Sequence, residues 1–197
     1  MSFVTKVLSY KQIGEKAENF LSKYHPSLTL PIPIEEIAES QFNIEIVPVI
    51  GVKREYDVEA SIKSDFSTIF IDYDLYMKHE NRTRFTIAHE LGHLILHKEL
   101  FESLKIETTE DLYNLSEKIS DKEYSWLEWQ AYSFAGQVLV PKNILFKEIE
   151  KRLGRLPKEE TLETIFPLVG DLSEIFQVSG EVVVRRFQKE RIIKDNS

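Results

Sequence analysis

Two histidines and a glutamate in the string HELGH have the types and the spacing that metal-dependent hydrolysis requires. His89 and His93 are four residues apart, so on a helix their side chains lie on one face, one turn apart. Two imidazoles in this arrangement can bind one zinc ion together. Glu90 lies between them, where it can accept a proton from a water molecule without being a ligand. The spacing therefore predicts a zinc site with a general base beside it.

The alternative is a helix that carries two histidines by accident, and the neighbouring residues argue against it. The segment is apolar on nearly every side, which predicts a buried helix: Phe85, Ile87, Ala88, Leu91, Leu94, Ile95 and Leu96. Buried imidazole and carboxylate groups are costly without partners, and a metal ion would supply one. Gly92 costs a helix roughly 1 kcal/mol relative to alanine, which indicates that another element packs closely there.

A catalytic zinc ion usually has three protein ligands, so the third ligand must come from elsewhere. His97 lies roughly 12 Å along the helix axis from His89, too far for one ion to bind both on a straight helix. Glu128 lies in the apolar segment WLEWQAYSFAGQVLVP, where a lone carboxylate would be costly without a metal. Glu123 is the rival, but its charged surroundings favour a solvated role. Glu128 is the favoured ligand, and His97 is expected to lie behind the ligands or at the helix end.

Composition limits the other possibilities. With 197 residues, of which 42% are hydrophobic, the chain suits one domain or one domain with an appendage. The absence of cysteine excludes disulfides, thiolate ligands and thiol catalysis. The formal charge of −8 argues against a nucleic-acid-binding surface as the main feature. No apolar run suits a signal peptide or a membrane span, so a cytoplasmic location is expected.

The elements that must position these residues follow from the hydrophobic periodicity. The pattern predicts an α+β fold in which a small antiparallel sheet packs on helices and an α-helical C-terminal part follows. The strand at 68–72 comes just before the motif helix, and an exposed edge there could bind a substrate as an added strand. Residues 99–124 are charged without a clear period and predict a long excursion. The predicted helices are 10–24, 33–38, 81–98, 125–139, 142–153, 157–166, 168–176 and 179–193, and the predicted strands are 42–49, 58–62 and 68–72.

Two motifs in this arrangement resemble the ImmA/IrrE family of metallo-endopeptidases. The first is RFTIAHELGHLILH, from Arg84 to His97, and the second is EWQAYSFAGQVLVP, from Glu128 to Pro141. The second is similar to the family pattern E-x-x-A-N-x-F-A-x-x-L-L-M-P, whose glutamate is the third zinc ligand. Carried over, that ligand is Glu128. The chain departs from the pattern at Tyr132, where the family often has asparagine.

The resemblance also covers PIPIEEIA, the hairpin before the motif helix and FQVSGEVVVRRF, and so spans most of the chain. It implies a zincin-like fold, with a metallopeptidase domain at 1–155 and a helix-turn-helix-like appendage at 156–197. It also implies one Zn²⁺ per chain, with Mn²⁺ as an alternative. Three residues are candidates to support a ligand or to donate to an oxyanion: Tyr132, His97 and Tyr73.

The implied function is that of an intracellular zinc endopeptidase whose substrate is a helix-turn-helix transcriptional repressor. One alternative is a zinc-stabilised, antitoxin-like binding protein that does not cut. Glu90 favours the peptidase, because a structural site has no use for a general base. The other alternative is a DNA-binding regulator that uses the basic helix after Ser179. The acidic chain and the early Glu181 instead favour a helix that completes the core.

Overall fold

The computed structural model of the chain describes residues 7–63, 65–103 and 119–193. Within these ranges the chain forms three strands and ten helices, which confirms the predicted α+β class. The middle of the predicted excursion, residues 104–118, lies outside the described residues. The strands are β1 (Glu45–Val49), β2 (Ala60–Ile62) and β3 (Thr68–Asp72). The helices are α1 (Tyr10–Tyr24), α2 (Ile34–Phe42), α3 (Val52–Tyr56), α4 (Tyr73–Lys78), α5 (Glu80–Ser103), α6 (Asp121–Leu139), α7 (Lys142–Leu153), α8 (Leu162–Ile165), α9 (Leu168–Phe176) and α10 (Gly180–Lys189).

The three strands form one mixed sheet with the order β1-β3-β2. β2 pairs antiparallel with β3, but β1 pairs parallel with it, so the predicted antiparallel pairing is corrected for β1. The reason is that the chain reverses twice between β1 and β3, through α3 and β2, and β3 then runs in the direction of β1. β3 is the central strand and has no free edge. The edge that the sequence analysis assigned to residues 68–72 therefore belongs to β2.

Helices α5 and α6 cross in close contact at Gly92. A Cβ atom at this position would lie 3.0 Å from both the Cα and the carbonyl oxygen of Ala131, so no larger residue fits without a shift. α6 begins at a capping box, in which the Ser120 hydroxyl accepts from the backbone N–H of Glu123 and the Glu123 carboxylate accepts from the N–H of Ser120. It ends before Pro141, which cannot continue a helix. The close packing that Gly92 predicted is present.

Helix α1 packs against α6 and continues the core. Its buried face consists of the residues that the periodicity predicted, Ile13, Ala17, Phe20 and Leu21. Phe20 meets Phe134 of α6 edge to face, with 5.6 Å between ring centroids. The backbone N–H of Leu8 also donates to the buried side chain of Gln130 on α6, at 3.2 Å. These contacts support α6 along the side that does not face α5.

Polar contacts join the turn between helices α9 and α10 to the start of α5. The buried Arg84 side chain donates to the carbonyl oxygens of Gln177, at 3.3 Å, and Ile32, at 2.6 Å. Asn81 donates to the carbonyl oxygen of Val178, at 3.3 Å. The turn between α9 and α10 is therefore held against the motif helix.

The predicted domain boundary between 1–155 and 156–197 stays a prediction. The hydrophobic core cluster includes residues from both sides of this boundary. Among the described helices, none combines the length and the apolar composition that a bilayer crossing requires.

Candidate metal centre

His89, His93 and Glu128 bring three donor atoms together where α5 crosses α6. The Nε2 atoms of the two histidines are 3.0 Å apart. Glu128 Oε2 lies 3.2 Å from His89 Nε2, and Glu128 Oε1 lies 3.4 Å from His93 Nε2. In a tetrahedral zinc site with bonds of about 2.0–2.1 Å, neighbouring ligand atoms are about 3.3 Å apart. This group of residues could hold a metal ion, and its chemistry and spacing fit zinc.

The electrostatics of Glu128 suit a metal ligand. Removal from water acts to raise the pKa of its carboxyl group. Hydrogen bonds with His89 and His93, together with the coulombic effect of these two rings, outweigh this effect and hold the pKa below its usual range. Glu128 is therefore a carboxylate at neutral pH, which is the form that binds a cation.

Glu90 lies next to these donors in a different environment. The residue is 7% exposed. Burial raises the pKa of its carboxyl group to about 7, and the nearby Glu128 carboxylate adds to the rise. One oxygen, Oε2, accepts a hydrogen bond of 2.9 Å from the backbone N–H of Ile62 on β2. A carboxyl group with this pKa can accept and release a proton near neutral pH, so the environment suits the predicted role of general base.

His97 lies behind His93, outside the group of three donors. Its Nδ1 atom is 3.1 Å from Nδ1 of His93. Burial lowers the pKa of His97 to about 2, and the neighbouring His93 adds to the fall, so the imidazole is neutral. Its Nε2 atom is buried and has no hydrogen-bond partner among the described residues. The structure thus places His97 against a proposed ligand rather than in its place.

The donor atoms face a cleft of about 610 Å³ that β2, α5, α6 and α10 enclose. Near the start of α5 the cleft is charged, with ion pairs between Glu59 and Arg82 and between Glu181 and Arg185. Towards the other end of α5 the lining is apolar and aromatic, with Ile62, Phe101 and Tyr124. The cleft therefore offers different surroundings on the two sides of the metal donors.

The two tyrosines that the sequence analysis singled out lie in different places. Tyr132 lines the cleft, where its ring centroid is 4.7 Å from that of Phe85 and 4.9 Å from the guanidinium carbon of Arg185. Tyr73 is 42% exposed at the start of α4 and is not part of the cleft lining. Of this pair, the structure brings only Tyr132 to the site.

Tyr124 is a cleft residue that the sequence analysis missed. It lies one turn before Glu128 on α6 and lines the cleft near that carboxylate. Burial and the charges of Glu128 and Glu90 raise the pKa of Tyr124 to about 12, so its hydroxyl keeps the proton. The sequence signal that could have revealed Tyr124 is the capping box of Ser120 and Glu123. This box starts the helix early enough to place Tyr124 on the same face as Glu128.

Glu123, the rival ligand, has its carboxylate in that cap.

Helix α10 forms a wall of the cleft. Ser179, Glu181, Val182 and Arg185 line the cleft, while Val183, Arg186 and Phe187 are buried in the protein. The buried residues give α10 the core-packing role that the sequence analysis favoured, while the absence of DNA contact stays a prediction.

Comparisons with known proteins agree with this geometry. The sequence matches the peptidase M78 family, described as the IrrE N-terminal-like domain, over residues 41–188. None of the curated proteins is similar enough to match. Among solved structures, the chain is similar to a Mycobacterium tuberculosis transcriptional regulator, with a TM-score of 0.52 and 18% sequence identity.

The structural match covers 89% of this chain and 46% of the regulator, so this chain spans about half the length of that protein. At this identity the likeness shows the fold alone. The family match is more specific, because it covers most of the chain and includes both HELGH and Glu128. As the resemblance to ImmA/IrrE proteins implied, the chain belongs to the peptidase M78 family of IrrE N-terminal-like domains.

Proposed function

We propose that the protein is a zinc-dependent endopeptidase that hydrolyses a peptide bond in a regulatory protein. The observation that carries this proposal is the position of Glu90, whose carboxyl group has a pKa of about 7, beside three convergent metal donors in a cleft. A metal site that only stabilises the fold does not require a base there. Residues His89, His93 and Glu128 would hold the zinc ion, and manganese is the alternative occupant.

The residues of the cleft divide the chemistry between them. A zinc ion, when bound, supplies Lewis acidity, which polarises the peptide carbonyl group and lowers the pKa of water. Glu90 accepts the proton of the attacking water molecule and then returns it to the leaving amine. The hydrogen bond from the backbone of Ile62 orients the Glu90 carboxyl group for this task.

A hydroxyl group in the cleft can stabilise the negative charge that develops on the carbonyl oxygen. Tyr124 is the better candidate because it lines the cleft near the carboxylates of Glu128 and Glu90 and keeps its proton. Tyr132 is packed between other cleft residues, with Phe85 and Arg185 against its ring. We therefore assign the donor role to Tyr124 and treat Tyr132 as part of the cleft wall.

The edge of β2 that faces away from β3 pairs with no other strand among the described residues, and it is the element to which an extended substrate would bind. Along β2 and its flanking residues, the backbone groups of every second residue face β3. The carbonyl oxygen of Glu59 accepts from the N–H of Asp72, and the N–H of Lys63 donates to the carbonyl oxygen of Thr68. The backbone groups of Ala60 accordingly face the other way, and Ala60 lines the cleft. A peptide that adds to this edge would gain main-chain hydrogen bonds next to the metal donors.

The substrate class rests on the family rather than on the cleft. The resemblance to ImmA/IrrE proteins implies a helix-turn-helix transcriptional repressor as the protein that is cut. The similar solved structure is described as a transcriptional regulator, which is consistent with a regulatory setting. A regulatory peptidase must act narrowly, so we expect one cut in a cognate repressor and little activity on casein.

The experiment is to incubate the purified, zinc-loaded protein with the helix-turn-helix repressor that a neighbouring gene encodes, and with casein. Parallel reactions contain a chelator or the Glu90→Gln variant. We expect a single cut in the repressor that both treatments abolish. Rapid degradation of casein would refute the regulatory role but leave the zinc chemistry standing. Tight binding to the repressor without a metal-dependent cut would show a non-proteolytic binding protein instead.

A further inference from the structure

The geometry points to His97 as the residue that sets the tautomer and the ring orientation of His93, and so tunes the metal affinity of the site. This inference rests on the proposed metal site but not on peptide-bond cleavage. His97 is a positioning residue in this scheme, because it acts through His93.

The contact that carries the inference is between the two Nδ1 atoms, which are 3.1 Å apart. His93 turns its other nitrogen, Nε2, towards His89 and Glu128, at 3.0 and 3.4 Å. Each nitrogen of His93 thus has its own neighbours, one set for the metal and one for His97. His93 and His97 are 7% and 4% exposed, so water does not compete freely for these contacts.

The protonation states follow from this arrangement. A metal ion binds the lone pair of His93 Nε2, so the proton of the neutral ring must be on Nδ1. That N–H points at His97 Nδ1, which can accept it only if it carries no proton. His97 must then hold its proton on Nε2. Metal binding therefore selects one tautomer for each of the two rings.

Ligating histidines usually donate their second N–H group to a carboxylate, a carbonyl group or water, which fixes the ring and makes it a better ligand. Among the described residues, His97 is the acceptor that the structure places at Nδ1 of His93. The ring of Phe101 packs against both histidines, with centroids 6.0 Å from His93 and 6.2 Å from His97. Packing and hydrogen bonding can therefore be separated by mutation.

The first test is the zinc affinity of four purified proteins, measured by competition with a chelating dye. His97→Leu removes the acceptor at similar bulk, and we expect zinc binding to weaken by about 10- to 100-fold. His97→Asn restores an oxygen acceptor near the position of Nδ1 and should recover most of this loss. Phe101→Leu removes ring packing but keeps the acceptor, so its affinity should stay close to that of the parent.

Zinc binding by His97→Leu that is as tight as that of the parent would overturn the inference. An equal loss in His97→Leu and His97→Asn would do so too, because it would show a requirement for the ring rather than for an acceptor. Circular dichroism of the metal-free variants checks that each one folds.

The second test needs no mutation and therefore survives a variant that fails to fold. Nitrogen-15 NMR of the zinc-loaded parent should show a proton on Nδ1 of His93 and on Nε2 of His97. A proton on Nδ1 of His97 in the loaded protein would contradict the inference. Failure to cut any repressor would leave both tests standing, so the two proposals can fail separately.

Discussion

Two of the polar clusters in the described part of the chain invite comparison, because both lie among apolar neighbours. The metal cluster consists of His89, Glu90, His93 and Glu128. The arginine cluster consists of Tyr10, Lys142, Arg186 and Glu190. In the arginine cluster Arg186 and Lys142 each lie 2.8 Å from the Glu190 carboxylate. In the metal cluster the lone pairs of two histidines and a carboxylate converge on one point, with a second carboxyl group beside them.

The difference between the clusters is where the positive charge comes from. In the arginine cluster, the guanidinium group of Arg186 supplies positive charge. It also donates to the hydroxyl of Tyr10 and to the carbonyl oxygen of Val140. It thereby ties α10 to α6 and to α1. The metal cluster consists mainly of acceptors, so a cation from outside the chain is the partner that balances it. A buried polar cluster that balances itself is evidence for structure, and one that lacks a cation is evidence for a ligand.

The largest effect is expected from Glu90→Gln. The substitution removes the base but leaves all three proposed ligands, so turnover of a cut repressor should fall by about 10²- to 10⁴-fold. Zinc content, measured by mass spectrometry of the metal, should equal that of the parent. Loss of zinc from this variant would mean that Glu90 is itself a ligand.

The next effect is on metal binding, in Glu128→Ala. Removal of a proposed ligand should weaken zinc binding by more than the roughly 10- to 100-fold expected for a residue behind the ligands. Glu123→Ala is the matched control, because it removes a carboxylate that caps the start of the same helix. It should lower stability by about 1 kcal/mol and leave zinc affinity intact. The reverse ranking would transfer the ligand role to Glu123.

Arg186→Met should break the arginine cluster without touching the metal cluster. It leaves the carboxylate of Glu190, whose side chain is 5% exposed, with Lys142 as its cationic partner. We expect the free energy of unfolding to fall by about 3 kcal/mol, measured by urea denaturation, with little change in zinc affinity. The double variant Arg186→Met/Glu190→Leu should lose less than the single one. A large loss of zinc binding in a folded Arg186→Met would show that the clusters are coupled.

The smallest effect concerns the metal-free protein and its pH dependence. Burial raises the pKa of Glu90 from 4.5 to about 7, so between these values the folded chain holds a proton that the unfolded chain releases. The stability contributed by this group therefore falls as pH rises through that window. Glu90→Gln does not titrate, so in chelator it should be more stable than the parent at pH 8. Urea denaturation at several pH values should show the gap closing towards pH 5, and a gap that widens there would contradict the pKa shift.

The sequence was sufficient for the elements with strong periodicity and for the residues placed on them. The helix at 10–24 and the strand at 68–72 have the predicted bounds, because their apolar faces are complete. His89, His93 and Glu128 meet as the two motifs implied, although their roles stay predictions. Both ligand-bearing helices could be placed from local patterns alone.

The features that were missed depend on contacts between distant segments. The parallel pairing of β1 with β3 and the β2 edge next to Glu90 arise from chain reversals that no local pattern encodes. Tyr124 was missed for a different reason, since the start of α6 was placed at Ser125 although Ser120 and Glu123 form a recognisable capping box. The wall made by α10 depends on Arg84 and Asn81, whose polar contacts act over more than ninety residues of sequence.

The contact between Gly92 and Ala131 has a consequence for protein engineering. A side chain at residue 92 would press on backbone atoms of α6, which cannot move aside as a side chain can. A larger residue at this point would push α5 and α6 apart. The distance between His93 on α5 and Glu128 on α6 would then change as well. The metal preference of this scaffold could therefore be retuned from a position that never touches the metal, by stepping residue 92 through alanine and serine and following the order of affinity for zinc, manganese and cobalt.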